Sequence, residues 1–125
     1  MIASSYVIIT SSLHAVLLAF LLSASHGILK YSTTKHHDSF VDLLRSQWHL
    51  IILALSMYGF VFLYYLFVLR SSPISFLYPI YTGVSILFVS IVGHFLFKEP
   101  ISVKHFVGIA LIISGVFIIG AAPNK

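Results

Sequence analysis

The chain has 125 residues, of which 59% are hydrophobic and only 8% are Asp, Glu, Lys or Arg, against roughly a quarter charged in soluble domains. A water-soluble fold of this size could not cover so much apolar surface, so lipid is the solvent for most of the chain. The formal charge of +4 sits in short segments between apolar runs, which fits contact with lipid headgroups and not with nucleic acid, and a chain without cysteine has no disulfide or thiolate metal site.

Four apolar runs are each long enough to cross about 30 Å of hydrocarbon, which takes roughly 20 residues. In lipid the backbone polar groups must be satisfied within the segment, so each run is expected to be helical. The fold class that follows is an all-α integral membrane protein, a single domain of four transmembrane helices over residues 1–125. The first run covers about Ser4–Ile28. No Lys or Arg precedes Lys30, and the run is too long for the apolar part of a signal peptide, so it reads as a retained span.

The first connection, KYSTTKHHDSFVDLLRSQW (30–48), is long. Its SFVD stretch has the Ser-x-x-acid form of a capping box, and Phe40, Leu44 and Trp48 then recur at helical spacing. A short helix lying in the membrane interface and a plain solvated loop both fit this pattern. His36 and His37 could bind metal, but without an obvious full ligand set no metal site is expected.

The second run is Trp48–Leu69, the third Ile74–Phe97 and the fourth Val103–Ala121, joined by RSSP (70–73) and KEPIS (98–102). Pro100 disfavours helix at Glu99, and Ser102 is placed to cap the last helix. An even number of spans puts both termini on one side. Lys30, Lys35, Arg45, Lys98 and Lys104 lie on the other side, against Arg70 and Lys125, so the positive-inside bias places the first and third loops in the cytoplasm and the termini outside.

Placed at 100° per residue, Ser4, Ser11, His14 and Ser25 share one sector of the first helix. Ser75, Tyr78, Thr82, Ser85 and Gly93 share one sector of the third. Polar side chains in a membrane face the bundle or a watery cavity, so the two stripes are expected to line a substrate path formed by Ser11, His14, Tyr78, Pro79, Thr82 and Ser85. Close helix packing through the same small residues is the competing reading. Pro79 has no N–H and frees the carbonyl of Ser75 on that stripe. Gly108 and Gly115 share a face of the fourth helix and read as a pairing surface between subunits. His14 is either a proton carrier or a hydrogen-bonded packing residue. Tyr58, Phe62 and Tyr65 share a face on which an organic cation could be held.

The second half of the chain carries a more specific pattern. SPISFLYPI (72–80), an apolar run, and FKEPISVKHFVGIALIISGVFIIG (97–120) resemble the small-multidrug-resistance fold of the drug/metabolite transporter superfamily. They are most similar to its aminoarabinose-phosphoundecaprenol flippase subunits and related EamA-like half-transporters. The residues that carry the resemblance are Pro73, Tyr78, Pro79, Glu99, Pro100, Ser102, His105, Gly108, Gly115 and Gly120, and residues 48–122 are covered well. The first helix matches more loosely, through LLSASHGILK (21–30). The small multidrug pumps share a membrane-embedded glutamate in that helix. Leu22 stands in its place here, which removes the carrier for proton-coupled antiport and favours the lipid branch.

The resemblance implies a transporter of a polyprenyl-phosphate-linked sugar in the bacterial inner membrane, with Lys30, Lys98 and Lys104 at the phosphate. Its partners would be membrane lipids, the lipid-linked sugar and a second small subunit, as a homodimer or as a heterodimer with a homologous chain. The alternatives are a multidrug-type exporter of organic cations and a non-transporting accessory subunit. The sequence carries no nucleophile with a base at workable spacing, no phosphate loop and no metal set, so neither enzyme activity nor a cofactor is expected.

Overall fold

In the computed structural model of the chain, residues 2–121 are described, with side chains from residue 5; the expected stripe member Ser4 and the cation Lys125 lie outside the described side chains. The elements are α1 (Ile2–Ser32), α2 (Phe40–Ser46), α3 (Trp48–Leu69), α4 (Ile74–Phe97) and α5 (Val103–Ala121). α1, α3, α4 and α5 are long and apolar enough to cross a membrane, which makes this the expected all-α, four-span bundle. The bounds of α3, α4 and α5 coincide with the apolar runs.

α1 has 31 residues, or roughly 46 Å at 1.5 Å per residue, and runs one turn beyond the expected end at Ile28. The extra turn has a local cause. Hydroxyls of Ser32, Thr33 and Thr34 donate back to the carbonyls of Leu29, Lys30 and Tyr31, satisfying groups that a helix end otherwise leaves open. Of the two readings of the first connection, the helix is the one observed. Ser39 caps α2 by accepting from the Asp42 amide at 3.2 Å, as its sequence form predicts. Phe40, Val41 and Leu44 of this short helix, and Trp48 at the start of α3, are all exposed.

α1 is the centre of the bundle and packs against both α4 and α3, while α5 packs on α4. Hydrophobic drive between helices is absent in lipid, so close approach and hydrogen bonds hold them. Small residues permit the approach: Ala15 and Ala19 of α1 are fully buried beside Leu18, and the core continues through Val61, Val68, Leu77 and Ile80. At the α1–α4 crossing, a Cβ on Gly27 would stand 3.2 Å from Val92. On the other side of α4, a Cβ on Gly83 would collide with Val116 of α5. No residue of α5 is buried in the single chain. The outer surface is apolar, with Phe60, Phe62, Leu63 and Phe67 of α3 exposed, as a lipid-facing wall requires.

α4 runs unbroken through Pro79, which falls early in the helix. Its other end is built by Lys98, the one non-glycine residue with positive φ among the described residues (φ 57°, ψ 29°). This left-handed residue turns the chain back so that the amides of Lys98 and Glu99 both donate to the Gly93 carbonyl. Pro100 follows, and Ser102 caps α5 by accepting from the His105 amide at 3.2 Å, as expected.

Candidate transport site

Two histidines of α1 bond tyrosines of α3, and one of its serines bonds the α3–α4 turn. Ser11 is buried and shares a hydrogen bond of 2.5 Å with Ser72, in the α3–α4 turn. His14 Nδ1 bonds Tyr64 Oη, and the two rings meet edge to face. Further along, His26 Nδ1 bonds Tyr58 Oη at 2.8 Å. Ser25 donates to the carbonyl of Leu21 in its own helix. A membrane interior offers few alternatives, so each polar group closes on the nearest partner. In this single chain Ser11 and His14 therefore take Ser72 and Tyr64 as hydrogen-bond partners, and not the expected Tyr78, Thr82 or Ser85. His14 is hydrogen-bonded across the helix interface, as the packing reading expects.

The α4 stripe is more open. Tyr78 is about half exposed, Thr82 is partly covered and Ser85 is buried. Thr82 donates within its own helix to the carbonyls of Tyr78 and Pro79, and Ser85 donates to that of Thr82. Tyr81 stands against Tyr65 of α3, ring centres 5.5 Å apart, and Tyr78 stands beside Tyr81. The hydroxyl of Tyr65 is buried with no hydrogen-bond partner among the described residues. Buried hydroxyls are normally paired, so this one marks a place able to receive a polar group. The expected cation face of α3 dissolves: Tyr58 bonds α1, Tyr65 turns to α4, and Phe62 points outward.

Two clefts open in the bundle. The larger, about 650 Å³, lies between α4 and α5 with Ser12 of α1 at its edge; Ile80, Gly83, Leu87, Ile113 and Val116 line it. It uses the face of α4 opposite the polar stripe, because Ile80, Gly83 and Leu87 lie roughly half a turn away from Tyr78, Thr82 and Ser85. The second cleft, about 530 Å³, lies at the other end of the bundle and is walled by Phe20, Ile28, Leu50, Val92, Leu96 and Phe97. Both are lined almost wholly by hydrocarbon. A small hollow of about 130 Å³ shares Ser23, Gly27, Val92 and Phe97 with the second cleft and carries it to Lys30 and Glu99.

The basic residues of the first and third loops gather at this end, where α1 and α4 finish and α3 and α5 begin. Lys98 and Lys104 are exposed there. Lys30 is not a free cation: its Nζ lies 3.3 Å from Glu99 Oε1, both side chains about half exposed. Glu99 is held in place by its backbone and by the carbonyl it offers to His94 Nδ1 at 3.0 Å. Its other carboxylate oxygen lies over Gly93, where a Cβ would stand 2.7 Å away.

At the remaining expected positions, a Cβ on Gly108 or Gly115 of α5 would meet nothing within the chain, so that face is unfilled by this chain alone. His36 pairs with Asp38 at the surface (3.7 Å), whereas His37 is nearly buried and its Nε2 donates to the Ser32 carbonyl at 3.2 Å. No group of three or more potential metal ligands occurs among the described residues. Sequence reading gave no site role to Tyr64, Ser72 or Glu99. The first two carry no signal without their partners. Glu99 had one: it is the lone acid outside the first loop, where Asp38 and Asp42 both sit.

Comparison with known proteins agrees with this architecture. The family model described as "Small Multidrug Resistance protein" matches residues 35–112. The "Probable 4-amino-4-deoxy-L-arabinose-phosphoundecaprenol flippase subunit ArnE" of Pseudomonas savastanoi pv. phaseolicola is 35% identical over 94 residues, covering 73% of this chain and 80% of that protein. The protein of the same description from Escherichia coli O157:H7 is 30% identical over 90 residues, covering 70% and 80%. The "Multidrug resistance protein EbrB" of Bacillus licheniformis is 35% identical over 59 residues, covering 47% and 50%. No solved structure matches. With four spanning helices and a family match over most of its length, the chain belongs to the small multidrug resistance protein family and is a multi-pass membrane transporter.

Proposed function

We propose that this chain is a flippase subunit that moves a polyprenyl-phosphate-linked sugar across the bacterial inner membrane, from the cytoplasmic leaflet to the outer one. The observation that carries the reading is the make-up of the two clefts. Their walls are hydrocarbon, and exposed residues such as Phe20, Leu96 and Phe117 stand on their rims. A prenyl tail needs only such a surface. The carboxylate that the multidrug pumps share in the first helix has no counterpart here, where Leu22 stands in its place. Similarity to flippase subunits over four fifths of their length supports the same reading.

In this proposal the loops carrying Lys30, Lys98 and Lys104 face the cytoplasm, where those cations meet the phosphate. The sugar crosses beside Tyr78, Pro79, Thr82 and Ser85, with the unpartnered Tyr65 hydroxyl opposite. The open face of α5 at Gly108 and Gly115 receives a second subunit, a copy of this chain or a homologous one, so that two thin bundles enclose one path. Transport requires no covalent step and no cofactor.

Mass spectrometry of lipids retained by the purified protein tests the reading. Polyprenyl-phosphate sugars enriched over bulk phospholipid are expected, together with their accelerated exchange between leaflets in proteoliposomes. Neither enrichment nor exchange, with pH-driven uptake of quaternary ammonium compounds instead, would establish the multidrug alternative to which the Bacillus relative points.

A further inference from the structure

We propose that the Lys30–Glu99 ion pair is a latch across one end of the second cleft, closed in this structure, whose release gives access to the cleft between α1 and α4. The latch does not depend on what the cleft receives.

The placement of the pair points there. Lys30 belongs to α1 and Glu99 to the α4–α5 turn, so the contact of 3.3 Å joins the two sides of the cleft. Beneath it lies the hollow of about 130 Å³, which shares Ser23, Gly27, Val92 and Phe97 with the cleft. That hollow has the volume of about four water molecules at roughly 30 Å³ each, too little to admit a group that would fill the cleft. Its walls stand close, since a Cβ on Gly27 would lie 3.2 Å from Val92, and Ser23 inside it is buried. Access from this end therefore requires Lys30 and Glu99 to part.

The two halves of the pair are built differently. Glu99 is the fixed half. Lys98 adopts a left-handed conformation that non-glycine residues rarely take, and this returns the Glu99 amide to the Gly93 carbonyl at 3.1 Å. His94 Nδ1 holds the Glu99 carbonyl at 3.0 Å, and the missing side chain at Gly93 leaves room for the carboxylate. None of these contacts involves Lys30, so Glu99 keeps its place when the pair opens. Lys30 is the movable half, an ammonium on a flexible four-carbon stem in the last turn of α1. Both side chains are about half exposed, so water can replace either partner and salt screens their attraction. A permanent brace gains little from such a contact, whereas a contact that opens and closes is served by its weakness.

The chain has no cysteine, so Ser23→Cys introduces a single thiol inside the hollow, and its reaction with a water-soluble maleimide reads the opening. The measurement uses the purified full-length protein in lipid nanodiscs, which leave both membrane faces accessible. Rates are taken relative to Thr34→Cys in the same backgrounds, an exposed position that needs no opening. Adding Lys30→Met or Glu99→Gln should raise the relative rate about two- to fivefold, the change in open population that loss of an exposed ion pair brings. The exchange Lys30→Glu with Glu99→Lys restores a pair in reverse and should return the rate to that of Ser23→Cys alone. Salt raised from about 0.01 M to about 1 M should speed labelling of Ser23→Cys alone and of the exchange variant, but not of the two single charge variants. Single charge variants no faster than Ser23→Cys alone, an exchange variant as fast as they are, or labelling of Ser23→Cys that ignores salt each overturns the latch. No substrate enters the measurement, so each of these results leaves the flippase reading standing.

Discussion

Val116 of α5 occupies the space that a side chain at Gly83 of α4 would need. Because α5 has no buried residue of its own, this socket is a principal hold on it. Gly83→Ala should loosen α5 and lower stability by about 1–3 kcal/mol, the usual cost of overpacking. Val116→Ala should restore much of that loss in the double variant, a coupling of at least about 0.5 kcal/mol for residues in contact. Unfolding in mixed micelles reads both values; additive losses would place the role of Gly83 elsewhere.

The hydrogen bond between His14 and Tyr64 ties α1 to α3. Interhelical hydrogen bonds in membranes contribute about 0.6 kcal/mol on average and up to about 1.7. Tyr64→Phe should cost that amount, and His14→Ala combined with it should show coupling of the same size. If His14 serves packing alone, transport by Tyr64→Phe should keep the wild-type pH profile. A profile displaced by a full pH unit would return His14 to the relay reading.

These contacts also show how far the sequence could be read. Spans came from hydropathy because a run of roughly 20 apolar residues has few other fates. Ser39 and Ser102 were legible as caps because a cap is decided within four residues. Helical phase groups polar residues into a stripe, yet it cannot say which neighbour a stripe meets. Ser11 finds Ser72, and His14 finds Tyr64, at separations of 61 and 50 residues. The same limit hid the ion pair of Glu99 with Lys30. KEP reads as a turn, and only the return of Lys98 over Gly93 brings the carboxylate to Lys30.

Tyr65 provides a case in which stability and transport should move in opposite directions. Its hydroxyl is buried without a partner among the described residues, a cost of about 1–3 kcal/mol in apolar surroundings. Tyr65→Phe should therefore be neutral or stabilising by about 1 kcal/mol. If the hydroxyl receives the sugar, the same variant loses transport severalfold in a leaflet-exchange assay. Tyr78→Phe, at an exposed ring on the same path, should lose transport with stability unchanged within about 0.5 kcal/mol. Full exchange rates in both variants would move the headgroup path away from this face of α4.

The charge and the backbone of Lys98 can be separated. Its left-handed conformation costs a non-glycine residue about 1–2 kcal/mol, so Lys98→Gly should raise stability by about 1 kcal/mol. Lys98→Asn keeps a residue that tolerates this conformation but removes the cation. If the cation meets the phosphate, both variants should bind phosphate-bearing lipid several times more weakly, with the salt dependence of binding reduced. Lys98→Val should instead lower stability, because a β-branched residue fits that conformation worst. Unaltered lipid binding in Lys98→Asn would leave Lys104 and Lys30 as the cations that matter.

Trp48 is the single tryptophan of the chain, and it reports on α2 directly. It stands exposed at the start of α3, immediately after α2, whose Phe40, Val41 and Leu44 are exposed as well. Four large apolar groups at one end of the bundle, beside Lys35 and Arg45, have the make-up of a segment lying at the boundary of headgroups and acyl chains. In vesicles, Trp48 fluorescence should be quenched more strongly by lipids brominated near the glycerol than by lipids brominated near the chain ends. Ser39→Ala removes the cap of α2 and should cost about 1 kcal/mol of local helix stability, loosening the segment and narrowing the difference between the two quenchers. Equal quenching at both depths in the wild type would place Trp48 away from the interface, and the exposed face of α2 would then lie in water.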